Sequence, residues 1–126
     1  MLKEELIKAV KGGEPIIQGS DLSGGDYQSA DLAGGNFESV SFKGANLTGS
    51  KLKECNFINC DFTDAKLDGA NLILANFIEP KGENISLIGS DLRLASFIDA
   101  HFIKANFSKT NLENTSFINP VLTEAD

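Results

Sequence analysis

Residues 70–79 read Ala70-Asn71-Leu72-Ile73-Leu74-Ala75-Asn76-Phe77-Ile78-Glu79. They are two units of five, each with a small residue, an Asn, a large apolar residue and two more positions. Working outward, the large residue recurs at every fifth place from Leu22 through Tyr27, Leu32, Phe37, Phe42, Leu47, Leu52, Phe57, Phe62 and Leu67 to Phe77. It lapses once, at Gly82, and returns at Leu87, Leu92, Phe97, Phe102, Phe107, Leu112, Phe117 and Leu122. All 9 Phe and the 1 Tyr fall in this register. Chance placement would achieve that roughly once in a million sequences, so the period is genuine.

Neither regular element accommodates a period of five. On a helix, five residues overshoot a full turn by about 140°, which scatters the Phe and Leu around the axis. On a flat strand, an odd period sends successive large residues to opposite faces. A chain that turns after each short extended segment keeps them all on one side. The position two residues earlier then also faces inward, and it is small throughout, apart from Pro80, Ile85 and Pro120. Large thus alternates with small, as a narrow filled interior requires. The residue between them faces outward and is commonly Asp or Asn, as at Asp21, Asp31, Asn46, Asn71 and Asn111. Gly, Ser and Asn gather at the last two places, where a corner belongs.

Four such sides close a square coil. Phe57-Ile58-Asn59, Phe77-Ile78-Glu79, Phe97-Ile98-Asp99 and Phe117-Ile118-Asn119 recur at a spacing of twenty, which supports this closure independently. One side of the core then carries Phe37, Phe57, Phe77, Phe97 and Phe117. The neighbouring side carries Leu32, Leu52, Leu72, Leu92 and Leu112. Coils stacked at the strand spacing of about 4.8 Å give about five coils and a rod about 25 Å long.

The units Ala45-Asn46-Leu47, Ala70-Asn71-Leu72, Ala75-Asn76-Phe77 and Ala105-Asn106-Phe107 closely resemble those of the pentapeptide-repeat proteins. The resemblance implies an all-β, right-handed quadrilateral β-helix; the hand comes from the family and not from the spacing. On this reading residues 1–13 form an N-terminal capping helix, 14–122 the repeat domain and 123–126 a tail.

The capping helix is read from residues 2–11. Leu2, Leu6, Ile7 and Val10 share a face, Glu4 and Glu5 lie in the first turn, Lys8 and Lys11 in the last, and Gly12-Gly13 ends it. That charge order suits the helix dipole. A lid is needed because the open end of a β-helix exposes both apolar core and unpaired backbone. Pro15-Ile16-Ile17 leads from it into the first coil. Asp21, Asp26 and Asp31 then make an acidic collar, read as solvated surface. The stretch 78–86, with Pro80 in a small slot and Gly82 in a large one, reads as an irregular side bulged outward without insertion.

The chain carries a formal net charge of −7, with acids spread along its length. Direct nucleic-acid binding, which requires a basic patch, is excluded by that balance. The N-terminus has no apolar signal segment and no stretch is apolar enough to span a membrane, so a cytoplasmic location is expected. Cys55 and Cys60 fall in small inward slots as apolar fillers; two cysteines make no metal site. His101 stands outward without a nucleophile beside it. No phosphate-cradling loop or metal-ligand spacing occurs, so neither catalysis nor a cofactor is expected.

One outward feature remains. Ile58, Ile78, Ile98 and Ile118 follow the Phe column by one residue, and Ile73, Leu74 and Leu94 lie at the preceding corner. Stacked, they make an apolar patch large enough for an interface with a protein partner. The expected function is therefore a non-enzymatic interaction scaffold. The resemblance supplies an alternative, an acidic rod that mimics DNA and inhibits DNA gyrase or another topoisomerase. Against it, Lys43, Lys51, Lys53, Lys66 and Arg93 interrupt the acids. At the C-terminal coil, end-to-end stacking with a second copy gives a homodimer as a further expectation.

Overall fold

The computed structural model describes residues 1–16 and 20–126; the expected entry at Ile17 lies outside them. Helix α1 (Lys3–Lys11) is followed by five short strands: β1 (Asn36–Glu38), β2 (Asn56–Ile58), β3 (Asn76–Ile78), β4 (Ser96–Ile98) and β5 (Ser116–Ile118). They form one parallel sheet in sequential order. Phe37 pairs with Phe57, Phe57 with Phe77, Phe77 with Phe97 and Phe97 with Phe117. The other three sides are held by single parallel bridges with the same step, such as Asp31 to Lys51, Asn46 to Lys66 and Asp61 to Lys81. The strands from β1 to β5 enclose about four complete turns, where the spacing suggested about five; incomplete sides at the two ends make up the difference.

The corners explain the repeat chemistry. Every fifth residue from Gly24 to Glu124 has positive φ, in the left-handed region. On three sides the amide three residues after the large one closes a turn onto that residue's carbonyl, as in Ala45 to Phe42 and Ala75 to Leu72. The outward Asp or Asn stabilises the same turn. Its Oδ1 accepts the amide two residues on, at Asp21, Asp31, Asn46, Asp61, Asn71 and Asn111. This is the Asx turn, so these carboxylates serve backbone geometry before charge. The bonds from Ser23 and Gln28 hold the Asp21 and Asp26 carboxyls below the usual range.

The Phe side differs. Among the described residues, the amides of Val40, Cys60 and Ala100 donate no backbone hydrogen bond, so this corner lacks the turn bond and the chain stays extended into it. Pro80 and Pro120 occupy that same position. A residue without an N–H loses nothing there.

Large and small side chains together make the interior. The Phe column stacks with ring centroids between 4.5 and 5.2 Å apart. Phe42 stacks on Phe62 at 5.0 Å, and the two columns meet edge to face. Leu32, Leu52, Leu72 and Leu92, on the side before the Phe column, are buried with the small residues of the inner slots. Cys55 and Cys60 are free and buried there, and burial pushes their thiols up to about 12 and about 11. The Cys55 thiol donates to the Leu32 carbonyl.

Two expectations about the repeat are corrected. The side at 78–86 does not bulge outward. Lys81 bridges both Asp61 and His101, and Gly82 donates to the His101 carbonyl at 2.9 Å. The missing large side chain is replaced by Phe102 of the next turn, whose ring lies where a Cβ on Gly82 would be, 2.6 Å from its Cδ1. Residues 123–126 are not a loose tail either. Thr123 accepts the Lys104 amide, and Asp126 donates to Ala105 while accepting from Phe107.

The two ends are unlike. Helix α1 covers the N-terminal end by burying Leu6 and Val10, with Ile7 packed beside them. The Tyr27 hydroxyl donates to the Met1 carbonyl at 2.9 Å, and Lys3 Nζ donates to the Gln28 carbonyl at 2.5 Å. Leu2 does not join the buried face; it is 67% exposed because it precedes the helix in extended conformation. Its amide donates to the Glu5 carboxylate. The turn at residues 107–126 is less buried. Leu112, expected in the core, is 43% exposed, and Phe117 is only partly buried.

Candidate functional site

The outer surface of the β1–β5 sheet is the part of the rod that combines apolar side chains with a flat, extended backbone. In each strand the middle Phe points inward and the two flanking residues point out. This puts Asn56, Asn76 and Ser96 in one column and Ile58, Ile78, Ile98 and Ile118 in the next. The Ile residues expected to stack pair in register along the sheet. Ile58, Ile78 and Ile98 are half-buried, each covered by its neighbours in the ladder, while Ile118 on the last turn is 49% exposed. The column stops at Glu38 on β1, which pairs with Ile58.

Leu74 and Leu94 stand at the corner that leads into this sheet. They are one turn apart, 41% and 52% exposed, and each has φ of 61°. A left-handed backbone costs a branched apolar residue about 1–2 kcal/mol, which Gly or Asn largely avoids. The other corners carry Gly, Ser, Asn, Asp, Glu or Lys in this conformation. Two leucines there are thus unfavourable for folding and poorly buried. Ile73 is separate from both columns: its position in the turn lies between those of Lys53 and Arg93.

The Asn column is the part of this surface that apolar patterning missed. Asn76 Nδ2 donates to Asn56 Oδ1 at 2.9 Å, a side-chain ladder in place of the Asx turn used on the other sides. The recurring Asn-Phe-Ile triplet at 56–58 and 76–78 was its signal in the sequence. From Asn56 to Ile98 the two columns contain no charged residue. The adjacent ladders do, with Lys51 and Asp91 on one side and Asp61 and Lys81 on the other. At the Leu corner, Arg93 donates to Asp91 at 2.7 Å, and this bond holds the Asp91 carboxyl below the usual range. Glu79 and Asp99 occupy corner positions past the Ile column.

A shallow groove past the Ile column is lined by Asn59, Glu79, Pro80, Lys81, Asp99 and His101. It brings His101 next to a lysine and two carboxylates, with no Ser or Cys nucleophile. Among the described residues no group of three or more His, Cys, Asp or Glu side chains is placed to hold a metal. Among them, too, no helix is long and apolar enough to cross a membrane.

The chain is similar in structure to a pentapeptide repeat protein from the thylakoid lumen of Arabidopsis thaliana, at 26% identity and TM-score 0.52, over 89% of this chain and 64% of that one. It is also similar to a pentapeptide repeat protein from the cyanobacterium Cyanothece 51142, at 22% identity and TM-score 0.40, covering 79% of this chain and 62% of the other. The full-length plasmid-mediated fluoroquinolone resistance protein QnrB1 matches at 18% identity and TM-score 0.40, over 90% and 84% of the two chains. The chain thus spans less than two thirds of the first two proteins. No curated protein matches it. The family model for pentapeptide repeats matches residues 17–57, 41–77 and 83–119, in 8 copies. With its coil of four five-residue sides, its left-handed corners and this match over most of its length, the chain belongs to the pentapeptide-repeat family.

Proposed function

We propose that the protein is a non-enzymatic scaffold whose β1–β5 outer surface binds a protein partner. The observation that carries this reading is the pair Leu74 and Leu94, exposed leucines held in left-handed backbone beside an uncharged sheet. Backbone strain of this kind persists where something other than folding favours the residue. Depletion of charge at the centre of a patch, with charges confined to its rim, is the composition of a protein interface. Rigid backbone behind the patch lowers the ordering cost of binding. A cytoplasmic location is part of the same reading.

The test is capture of a partner from the source organism's lysate by wild type and by the Ile78→Lys/Ile98→Lys variant. Loss of a captured protein, with thermal unfolding unchanged, is the expected result. Equal capture by both would remove this surface from consideration.

The net charge of −7 favours a second reading, a DNA-mimicking inhibitor of gyrase or another topoisomerase. Many of the outward Asp residues are engaged in Asx turns, and lysines share their ladders. A supercoiling assay with no inhibition at high micromolar protein excludes it. A homodimer through the exposed Leu112 and Phe117 end is a third possibility for assembly, tested by the Leu112→Lys variant in light scattering.

A further inference from the structure

Resting on the reading of the β1–β5 surface as a protein-binding face, we propose that its occupant is the same face of a second copy. The two rods lie side by side and parallel, about a twofold axis that runs along the solenoid.

The first argument is periodicity. The strands pair in register, so like side chains repeat at the strand spacing of about 4.8 Å along the rod. A helical partner offers side chains on a pitch of about 5.4 Å and drifts out of step after a few rungs. Another stack of in-register strands shares the period along its whole length. Two sheets with stacked Asn and Ile rows are the composition of a dry, interdigitated zipper. Here the solenoid limits it to one pair of faces.

The second argument is what a twofold axis does to the columns. With the axis along the rod, the Ile column of one copy meets the Leu74 and Leu94 corner of the other. The Asn56, Asn76 and Ser96 column then meets itself. An amide is both donor and acceptor, so an Asn column is its own complement. The bond from Asn76 to Asn56 uses one N–H of Asn76 and the Oδ1 of Asn56, leaving Asn76 Oδ1, its second N–H and the Asn56 Nδ2 group to bond the facing column.

Charge selects between the two orientations that a twofold permits. Glu79 and Asp99 lie beyond the Ile column, one turn apart. The edge beyond the Leu column is mixed, with Lys53, Ile73, Arg93 and Glu113. An axis across the rods would lay Glu79 and Asp99 against their own copies. An axis along the rods lays them against the mixed edge, where Arg93 is bound to Asp91 through an exposed pair that is cheap to rearrange. Like-charge contact is avoided only in the parallel form.

The experiment combines light scattering with cysteine pairing on the intact chain. Ser96→Cys and Asn56→Cys are made separately and oxidised mildly; the native thiols are buried. In the parallel dimer each variant links to its own copy, and molar mass rises from monomer to dimer with concentration. Ile78→Lys, with circular dichroism unchanged, weakens that dimer by about tenfold or more. A monomer up to about 1 mM overturns the proposal. So does a dimer that survives Ile78→Lys, or one in which Asn56→Cys links only to Ser96→Cys in a mixture. If the chain is monomeric but a different captured protein is still lost in Ile78→Lys/Ile98→Lys, the dimer is wrong and the protein-binding face stands.

Discussion

At the scale of single residues, three positions break the repeat's own chemistry and can be tested separately. Leu74 and Leu94 sit where Gly or Asn is at ease, so Leu74→Asn and Leu94→Asn should leave stability unchanged or raise it by up to about 1 kcal/mol each. Urea denaturation checks this; a clear loss would mean that the leucines serve packing. Gly82 is the opposite case. Adding a methyl places it 2.6 Å from the buried Phe102 ring, so Gly82→Ala should destabilise by about 1–3 kcal/mol. The loss should shrink in a Phe102→Leu background, where the ring is gone. Cys55 and Cys60 give a pH dependence. Their folded thiols titrate at about 12 and about 11, above the ordinary 9.0, so the folded state retains protons that the unfolded chain has released. Their contribution is complete below pH 9.0 and is lost as pH rises from there through the folded values. Unfolding at pH 8 and pH 10.5 should show a decline that is smaller in Cys55→Ala/Cys60→Ala. An equal decline would trace the effect elsewhere, to Tyr27 first, whose hydroxyl is also pushed up by burial.

At the scale of elements, α1 and the Phe-side sheet carry different burdens. Helix α1 is nine residues long, short for stability by its own backbone, and depends on Leu6 and Val10. Leu6→Ala should cost about 2–5 kcal/mol, because the side chain is wholly buried against the first turn. Hydrogen exchange should then show Leu22, Tyr27 and their neighbours opening first; protection equal to wild type would mean that α1 is not the lid. The sheet owes its flatness to a corner without a turn bond. That corner alone lets Ile58, Ile78 and Ile98 lie in the ladder as strand residues. It also explains why Pro80 and Pro120 are harmless, although from the sequence they read as disruptions.

At the scale of the whole molecule, a solenoid has only neighbour contacts, so local stability follows the position of a turn in the stack. The N-terminal end is covered by α1, whereas Leu112, Ile118 and Val121 are exposed at the other. Native-state hydrogen exchange should therefore show protection falling toward the last turn and highest around Phe57, Phe77 and Phe97. Uniform protection along the chain would contradict this. If the last turn gains protection with protein concentration, an end-on contact is the cause. If β2–β4 gain it, the side-by-side dimer is.

The five-residue period by itself pointed to a square coil, because a chain that turns after each short side keeps one register of Phe and Leu, with small partners, inside; the hand of the coil came from the family resemblance. The same periodicity placed the Ile column and the core columns through Leu92 and Phe97, and the charge order of residues 2–11 placed a helix. Tertiary structure decided what depends on the neighbouring turn. Phe102 fills the space of Gly82 from one turn away, a compensation that no local pattern encodes. Residues 123–126 join the ladder because Lys104 and Ala105 present partners to them, and Leu112, in the same register as the buried Leu92, is 43% exposed. The Asn column became visible as a surface only when the missing corner bond flattened one side. Burial and pairing in a stacked coil are set twenty residues away, beyond the reach of local sequence.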